Sequence, residues 1–567
     1  MLTGPADRPS APAADAYNRA HSSKGSLAMR FTSAASVVVT LAVAAFAGVG
    51  HAYDEPDVVK ARFPDPPVRY STPGFAAGRS DFTTQDELVA WLADLTARVP
   101  QARVRMLGET QEGRAIPMLV LSNAAIASAA DALRLNRPIV WLQGLQHGDE
   151  PAGGEAMLAI AERLAVGDLN PLLDRITVLI VPRANPDGAA RFTRATANGI
   201  DINRDHVKFD LPETVIVHRA MNAYQPQVVV DCHEFSVHNR WLQKWGLINA
   251  YDMTLIYATN PNVPAELTRF ADAPFRSGIN AALDAAGYRH GWYYTTSYRE
   301  NDKRVQMGGL APDISRNAFG LQGSILFLLE TRGVGIGREH FLRRVHTHVV
   351  ALEAVLRTTA ANAERVMRTV SSVRDAIARA APAAPFVVTS RQKPTERTLA
   401  MLDPVTGADH PLTVSFDDSL DAEPILVRPR PYAYIVPPAY RDLARRIALN
   451  GVIVERLARP TPLDVEAYRV IDKEVAAATV EGHVRVTVRT ELVRRRVVFP
   501  AGSLVVRMGQ PNALLAAVAL EPESASSFVT IGAIPVDKAG TVEGAPSEVP
   551  IYRLPAPVAL ALTGGEP

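Results

Sequence analysis

A histidine followed three residues later by a glutamate opens the chemistry of this chain: His147 and Glu150, in "VWLQGLQHGDEPAGGEAMLAIAERL". Imidazole nitrogen and carboxylate oxygen are donor types that zinc accepts, but the same pair can also decorate a polar loop. By itself the spacing is weak, because a chain of 567 residues with ordinary His and Glu content shows about one such pair by chance. Further polar residues decide its weight. The stretch "PRANPDGAARFTRATANGIDINRD" carries an Asn185-Pro186-Asp187-Gly188 turn, then Arg191 and Arg194, then Asp201-Ile202-Asn203-Arg204. Farther along come Asp231-Cys232-His233-Glu234, and then Glu330 ahead of Thr331-Arg332-Gly333.

Elements must bring these together. The runs Arg137 to Leu145, Ile176 to Pro182, Pro226 to Cys232 and Ser324 to Glu330 are almost continuously apolar, as strands buried on both faces are. Between them "GGEAMLAIAERLAVG" and "PETVIVHRAMNAYQ" have amphipathic helical spacing, and a mostly helical tract runs from Glu339 to about Ala381. Strands alternating with helices predict an α/β sheet covered on both sides. Such sheets bind ligands beyond the carboxyl ends of their strands, where each polar feature falls, with Glu330 expected to end the fourth strand. Histidines, carboxylates and arginines therefore converge on one edge.

The texture changes near Ser390. Proline-rich "ILVRPRPYAYIVPPAY", the helix "YRDLARRIALNG" with Gly451 as a C-cap, and Val/Arg/Thr alternation in "HVRVTVRTELVRRRVVFPAGSLVVRM" predict a smaller β-rich region with solvated strand faces. The expected division is an N-terminal extension at 1–52, a catalytic domain at 53–385 that includes the helical tract, and a β-rich accessory domain at 386–567. No internal repeat is visible.

The net charge of +1 gives no field for nucleic acid or an anionic membrane, so neither is an expected partner. From Met29, the expected start, "MRFTSAASVVVTLAVAAFAGVGHAYDEP" has the basic, apolar and small-residue parts of an export signal, with cleavage expected after Ala52. Its apolar run is shorter than the roughly 20 residues a membrane span needs, so no stable span is expected after cleavage. Cys232 is the single cysteine, which rules out an intrachain disulfide. Export without disulfides suits a bacterial periplasm or medium.

In motif order the chain resembles the zinc metallocarboxypeptidases. They carry H-x-x-E, an N-P-D-G turn, an Asn-Arg pair, a lone distant His and a Glu on a later strand, all present from His147 to Glu330; "R-x-T-R" before "D-I-N-R" is also similar. The resemblance implies a mixed, mostly parallel sheet flanked by helices and one Zn2+ per chain. It implies His147, Glu150 and His233 as ligands, leaving a fourth position for water. Asp201 would orient His147 from behind, and Glu330 would be the general base. Arg194 would stabilise the oxyanion, while Asn203 and Arg204 would grip a peptide's terminal carboxylate. Arg316, in the tract lining the side-chain pocket, would favour acidic terminal residues. Asp149 stands where the animal digestive members have arginine.

The implied activity is hydrolysis of C-terminal residues from peptides with a free carboxylate. A zinc deacylase acting on N-acyl amino acids and an inactive envelope binding protein are the alternatives. The bland reading of Glu330 is a buried carboxylate paired with Arg332. Tyr293, Tyr294 and Tyr298 all remain candidates for the family's mobile tyrosine. His206, His238 and His290 read as wall or surface residues, and His346 and His348 as structural.

Overall fold

The computed structural model describes residues 53–537 and 548–564. The expected export signal lies outside the described residues. The central sheet has eight strands: β1 (Ala102–Glu109), β2 (Ala115–Leu121), β3 (Ile139–Gly144), β4 (Thr177–Val181), β5 (Val228–Ser236), β6 (Met253–Tyr257), β7 (His290–Trp292) and β8 (Ile325–Val334). Their spatial order is β1-β2-β4-β3-β5-β8-β6-β7. The strands β4, β3, β5 and β8 run parallel, β1 and β2 pair antiparallel to their neighbours, β6 pairs antiparallel to β8, and β7 runs parallel to β6. The mixed, mostly parallel α/β sheet is therefore present.

Every residue of β3 and β4 is buried, which explains their unbroken apolar sequence. Among the helices covering the sheet are α1 (Gln85–Arg98), α2 (Pro151–Val166), α3 (Pro186–Arg191), α4 (Pro212–Tyr224), α5 (Ser315–Leu321), α6 (Phe341–Ala361) and α7 (Ala363–Arg379). Proline at the first position of α2, α3 and α4 starts each helix with a preset φ and gives up only an amide that has no partner there. Glu150 is the residue immediately before α2, so the helix start fixes its place.

Two sequence expectations are corrected. β8 does not end at Glu330; its pairing with β5 runs on to Val334. Likewise β5 continues past Cys232 to Ser236. The polar residues do not break these strands because each one is accommodated on its own face of the sheet.

The β-rich C-terminal region forms two long hairpins. In the first, β9 (Pro385–Leu402) pairs with β10 (Asp409–Pro429). That sheet also includes Ile248–Asn249 and Val305–Gln306 from the region before β9. The strands β11 (Thr461–Val480) and β12 (His483–Phe499) form the second hairpin, within a seven-stranded sheet. The described residues fall in one compact unit, and the expected 385/386 boundary lies at the start of β9. Helix Leu443–Leu449 is followed by Gly451 at φ +75°, as the C-cap reading expects. Among the described residues no helix is long and apolar enough to cross a membrane.

Candidate active site

Strand register sets the first half of the site. His233 on β5 stands beside Glu330 on β8, so both side chains leave the sheet on the same face. Asp231, two residues earlier, shares that face, while Cys232 and Glu234 leave from the other. His147 and Glu150 come from the short connection between β3 and α2. The N-P-D-G turn braces that connection: Asn185 Nδ2 donates to Gln146 O at 3.1 Å, and its Oδ1 accepts from Gly188 N at 2.9 Å. A Cβ on Gly148 would lie 2.0 Å from the carbonyl carbon of Gly188, so loop and turn touch backbone to backbone and only glycine fits. Asp187 in the turn is buried and accepts from Thr110 Oγ1 at 2.7 Å and Glu112 N at 3.1 Å.

The result is a buried His-Glu-His group. His147 Nδ1 lies 2.8 Å from Glu150 Oε1, His233 Nδ1 lies 2.9 Å from Glu150 Oε2, and the two Nδ1 atoms are 3.0 Å apart. One donor atom from each residue falls within 4.8 Å of the other two. Behind each ring stands a carboxylate, with Asp201 Oδ1 3.1 Å from His147 Nε2 and Asp231 Oδ2 3.0 Å from His233 Nε2. These carboxylates favour the proton on Nε2, which leaves both Nδ1 lone pairs facing one gap beside an anionic oxygen. That donor set fits a divalent cation such as zinc. Against the push of burial, His147 and His233 hold the Glu150 carboxyl far below the usual range.

Asp201 joins this group to the next loop. Its Oδ1 also accepts from Asn203 N at 2.7 Å, and its Oδ2 accepts Nε (3.1 Å) and Nη2 (2.7 Å) of Arg194. The third Arg194 nitrogen, Nη1, reaches to 3.5 Å from Glu150 Oε1. Asn203 is buried, with Oδ1 accepting from Ser315 N at 2.8 Å. Arg204 donates from Nη1 to Asn203 O at 2.6 Å and stays partly open to solvent. The residues expected to hold metal, oxyanion and carboxylate are thus in one neighbourhood.

Glu330 is buried with no hydrogen-bond or ion-pair partner among the described residues. Burial pushes its carboxyl up to about 7, with His233 pulling it down and Glu150 adding to the rise. The bland reading fails, because Arg332 is already engaged elsewhere: it pairs with Glu55 at 2.6 Å and stacks over Phe63. Arg316 is also buried; it donates to Gly309 O and has no carboxylate within ion-pairing distance among the described residues. Burial lowers its pKa to about 10, while the charges of Tyr293, Arg204, Glu330 and Asp231 also act on it.

Structure selects among the tyrosines. Burial raises the Tyr293 phenol, and Glu330, Arg316, Arg194 and Arg204 all act on it. Tyr294 packs edge-on against Trp241, and Tyr298 is 77% exposed beneath Arg240. The remaining histidines lie apart from the donor group. His206 bridges Gln146 Oε1 and His218, His238 stacks on Tyr53, and His290 meets Asp284. His346 and His348 diverge toward Tyr70 and Thr331.

Sequence reasoning assigned no role to Asp231, although period-two spacing before His233 was signal enough. Ser315 Oγ donates to Asp231 Oδ2 at 2.5 Å, and Gln146 Nε2 donates to the same oxygen. The choice of Tyr293 had no signal in the sequence.

Residues 88–336 match the family model described as zinc carboxypeptidase. Carboxypeptidase 2 of Trichophyton rubrum is 33% identical over 85% of this chain and 88% of its own length. Its counterpart in Trichophyton equinum is 34% identical over 79% of this chain and 81% of its own. The solved carboxypeptidase A of Helicoverpa armigera aligns with a TM-score of 0.39 at 17% identity, over 50% of this chain and 75% of that one. One third identity sustained along nearly the whole of another carboxypeptidase, with the expected donors gathered in one buried group, leads to the assignment: the chain belongs to the zinc carboxypeptidase family.

Proposed function

We propose that the protein is an exported exopeptidase that uses one zinc ion per chain to remove the last residue of peptides with a free C-terminal carboxylate. The observation that carries this reading is the unpaired, buried Glu330 carboxylate beside His233 and facing the His147-Glu150-His233 group. When bound there, zinc would supply Lewis-acid polarisation of water and of the scissile carbonyl.

The side chains divide the remaining work. Glu330 takes a proton from the attacking water and returns it to the leaving amine, a task suited to a carboxyl brought toward neutral pH. Arg194, fixed bidentately by Asp201, presents Nη1 to the negative charge that develops on the carbonyl oxygen. Asn203 spends Oδ1 on Ser315 N, which leaves its amide nitrogen to donate to the substrate carboxylate. Arg204 offers the planar guanidinium that binds a carboxylate bidentately. Tyr293, on which Glu330, Arg194 and Arg204 all act, would donate to substrate.

Arg316 supports a preference for acidic terminal side chains, because its buried charge lacks a carboxylate partner. C-terminal Glu should then be released faster than Leu or Lys, with the preference lost in Arg316→Ala. Export rests on the pattern from Met29 to Ala52, and mass spectrometry of the mature chain should find Tyr53 first. The decisive test compares a peptide with its C-terminal amide. Free peptide should be shortened by one residue at a time and the amide should be a poor substrate; fast cleavage of the amide would end the exopeptidase reading.

A further inference from the structure

The tip of the β11–β12 hairpin is a two-residue loop, Glu481-Gly482, between the paired residues Val480 and His483. Both loop residues have positive φ, +50° at Glu481 and +79° at Gly482. Loops of this type favour Asn, Asp or Gly at the first position, because a longer side chain there is strained. Glutamate is thus a costly choice, and strain kept at one position suggests a use for the side chain.

The side chain has a specific contact. Glu481 Oε2 accepts from Asp201 N at 2.8 Å, across 280 positions of sequence. Asp201 is the residue whose carboxylate meets His147 and Arg194 and whose Oδ1 caps Asn203 N. Neighbouring contacts seat the tip on the same ground. Buried Lys208 donates to Glu481 O at 3.2 Å, His483 Nε2 lies 2.6 Å from Asp210 Oδ2, and Arg485 Nη2 lies 3.7 Å from Asp313 Oδ2.

We infer that Glu481 is a positioning residue for the peptidase site: the C-terminal region reaches into the cleft and holds the Asp201–Arg204 turn where Asn203 and Arg204 can meet the substrate carboxylate. This rests on the exopeptidase reading for its substrate, but the holding of the turn is independent of it. A purely structural role and a positioning role separate cleanly. Asn at 481 suits the positive φ better than Glu, yet is too short to reach Asp201 N.

The test uses the full zinc-loaded chain with Glu481→Asn and Glu481→Gln. Loss of one partly buried charge-assisted hydrogen bond predicts that KM for a free-carboxylate peptide rises roughly tenfold in Glu481→Asn, with kcat within about twofold. Melting temperature should hold or rise, and hydrogen exchange in the 196–205 segment should speed up. Glu481→Gln keeps an acceptor oxygen and should restore most of the lost KM and exchange protection. Unchanged KM and unchanged exchange in Glu481→Asn would overturn the inference, as would a lower melting temperature with both parameters intact. Should the wild-type chain cleave no peptide, the exopeptidase reading alone falls, and the exchange comparison still decides whether Glu481 holds the turn.

Discussion

The two faces of the β5–β8 strand pair carry the same chemistry to opposite ends. On the cleft face, His233 and Glu330 stand together with no cationic side chain bound to the glutamate. On the other face, Glu234 is clamped by Arg344 at 2.7 Å and by Ala152 N at 3.1 Å; farther along the strand of Glu330, Arg332 pairs with Glu55. All four of these acidic and basic residues are buried, as is Glu330. Burial raises both Glu234 and Glu330 to about 7, so a perturbed carboxyl does not by itself reveal catalysis. Glu55, against the push of burial, is held below its ordinary value by His340 and Arg332. What separates these carboxylates is completeness: Glu234 and Glu55 have cationic partners inside the protein, and Glu330 has none among the described residues.

The sharpest way to break this comparison is Glu330→Gln. Turnover should fall by about 10⁴-fold, the upper range for loss of a general base, while metal analysis still finds one zinc per chain. Retained activity would move the base elsewhere. Next in size, Glu234→Ala strands the buried Arg344 and should cost about 3–5 kcal/mol of unfolding free energy, with little change in kcat for the folded fraction. If Glu234→Ala instead spared stability and lost catalysis, the roles of the two faces would be wrong.

A smaller effect is expected behind the imidazoles. Asp201→Asn and Asp231→Asn should each weaken zinc about 10–100-fold in a chelator competition, since each removes the charge that fixes a ligand tautomer. The smallest effect is a slope. In the metal-free protein the Glu330 carboxyl titrates near 7, against about 4.3 in an unfolded chain. Between these values the folded chain binds the proton more, so stability is fullest at the acid end and falls as pH rises. Denaturation at pH 5 and pH 7 should show that loss, reduced in Glu330→Gln but not abolished, because Glu234 contributes with the same sign.

Much of the fold was legible. The unbroken apolar runs of β3, β4, β5 and β8 located the sheet core, because strands buried on both faces cannot alternate with polar residues. The ends of β5 and β8 were misplaced because a polar residue was read as a stop. Inside a sheet His233, Glu234 and Glu330 are tolerated once each finds its own face. The hairpin β1–β2 and the long β9–β10 pair had weaker signals, being partly exposed and irregular in register. In the site, His147, Glu150 and His233 were readable from type and order, whereas Asp231 hid beside them and Tyr293 could not be told from its neighbours.

The amino-acid order by itself singled out the candidate donor set and the candidate acid beside it, because ligand type and motif order are properties of the chain. It also determined that a parallel sheet core would gather them, since apolar runs must be buried. Only the tertiary structure decided that Arg332 pairs with Glu55 rather than with Glu330, that Tyr293 is the tyrosine on which Glu330 and the arginines act, and that Glu481 reaches Asp201. Those choices depend on contacts between distant segments, which leave neither a period nor a spacing in the sequence.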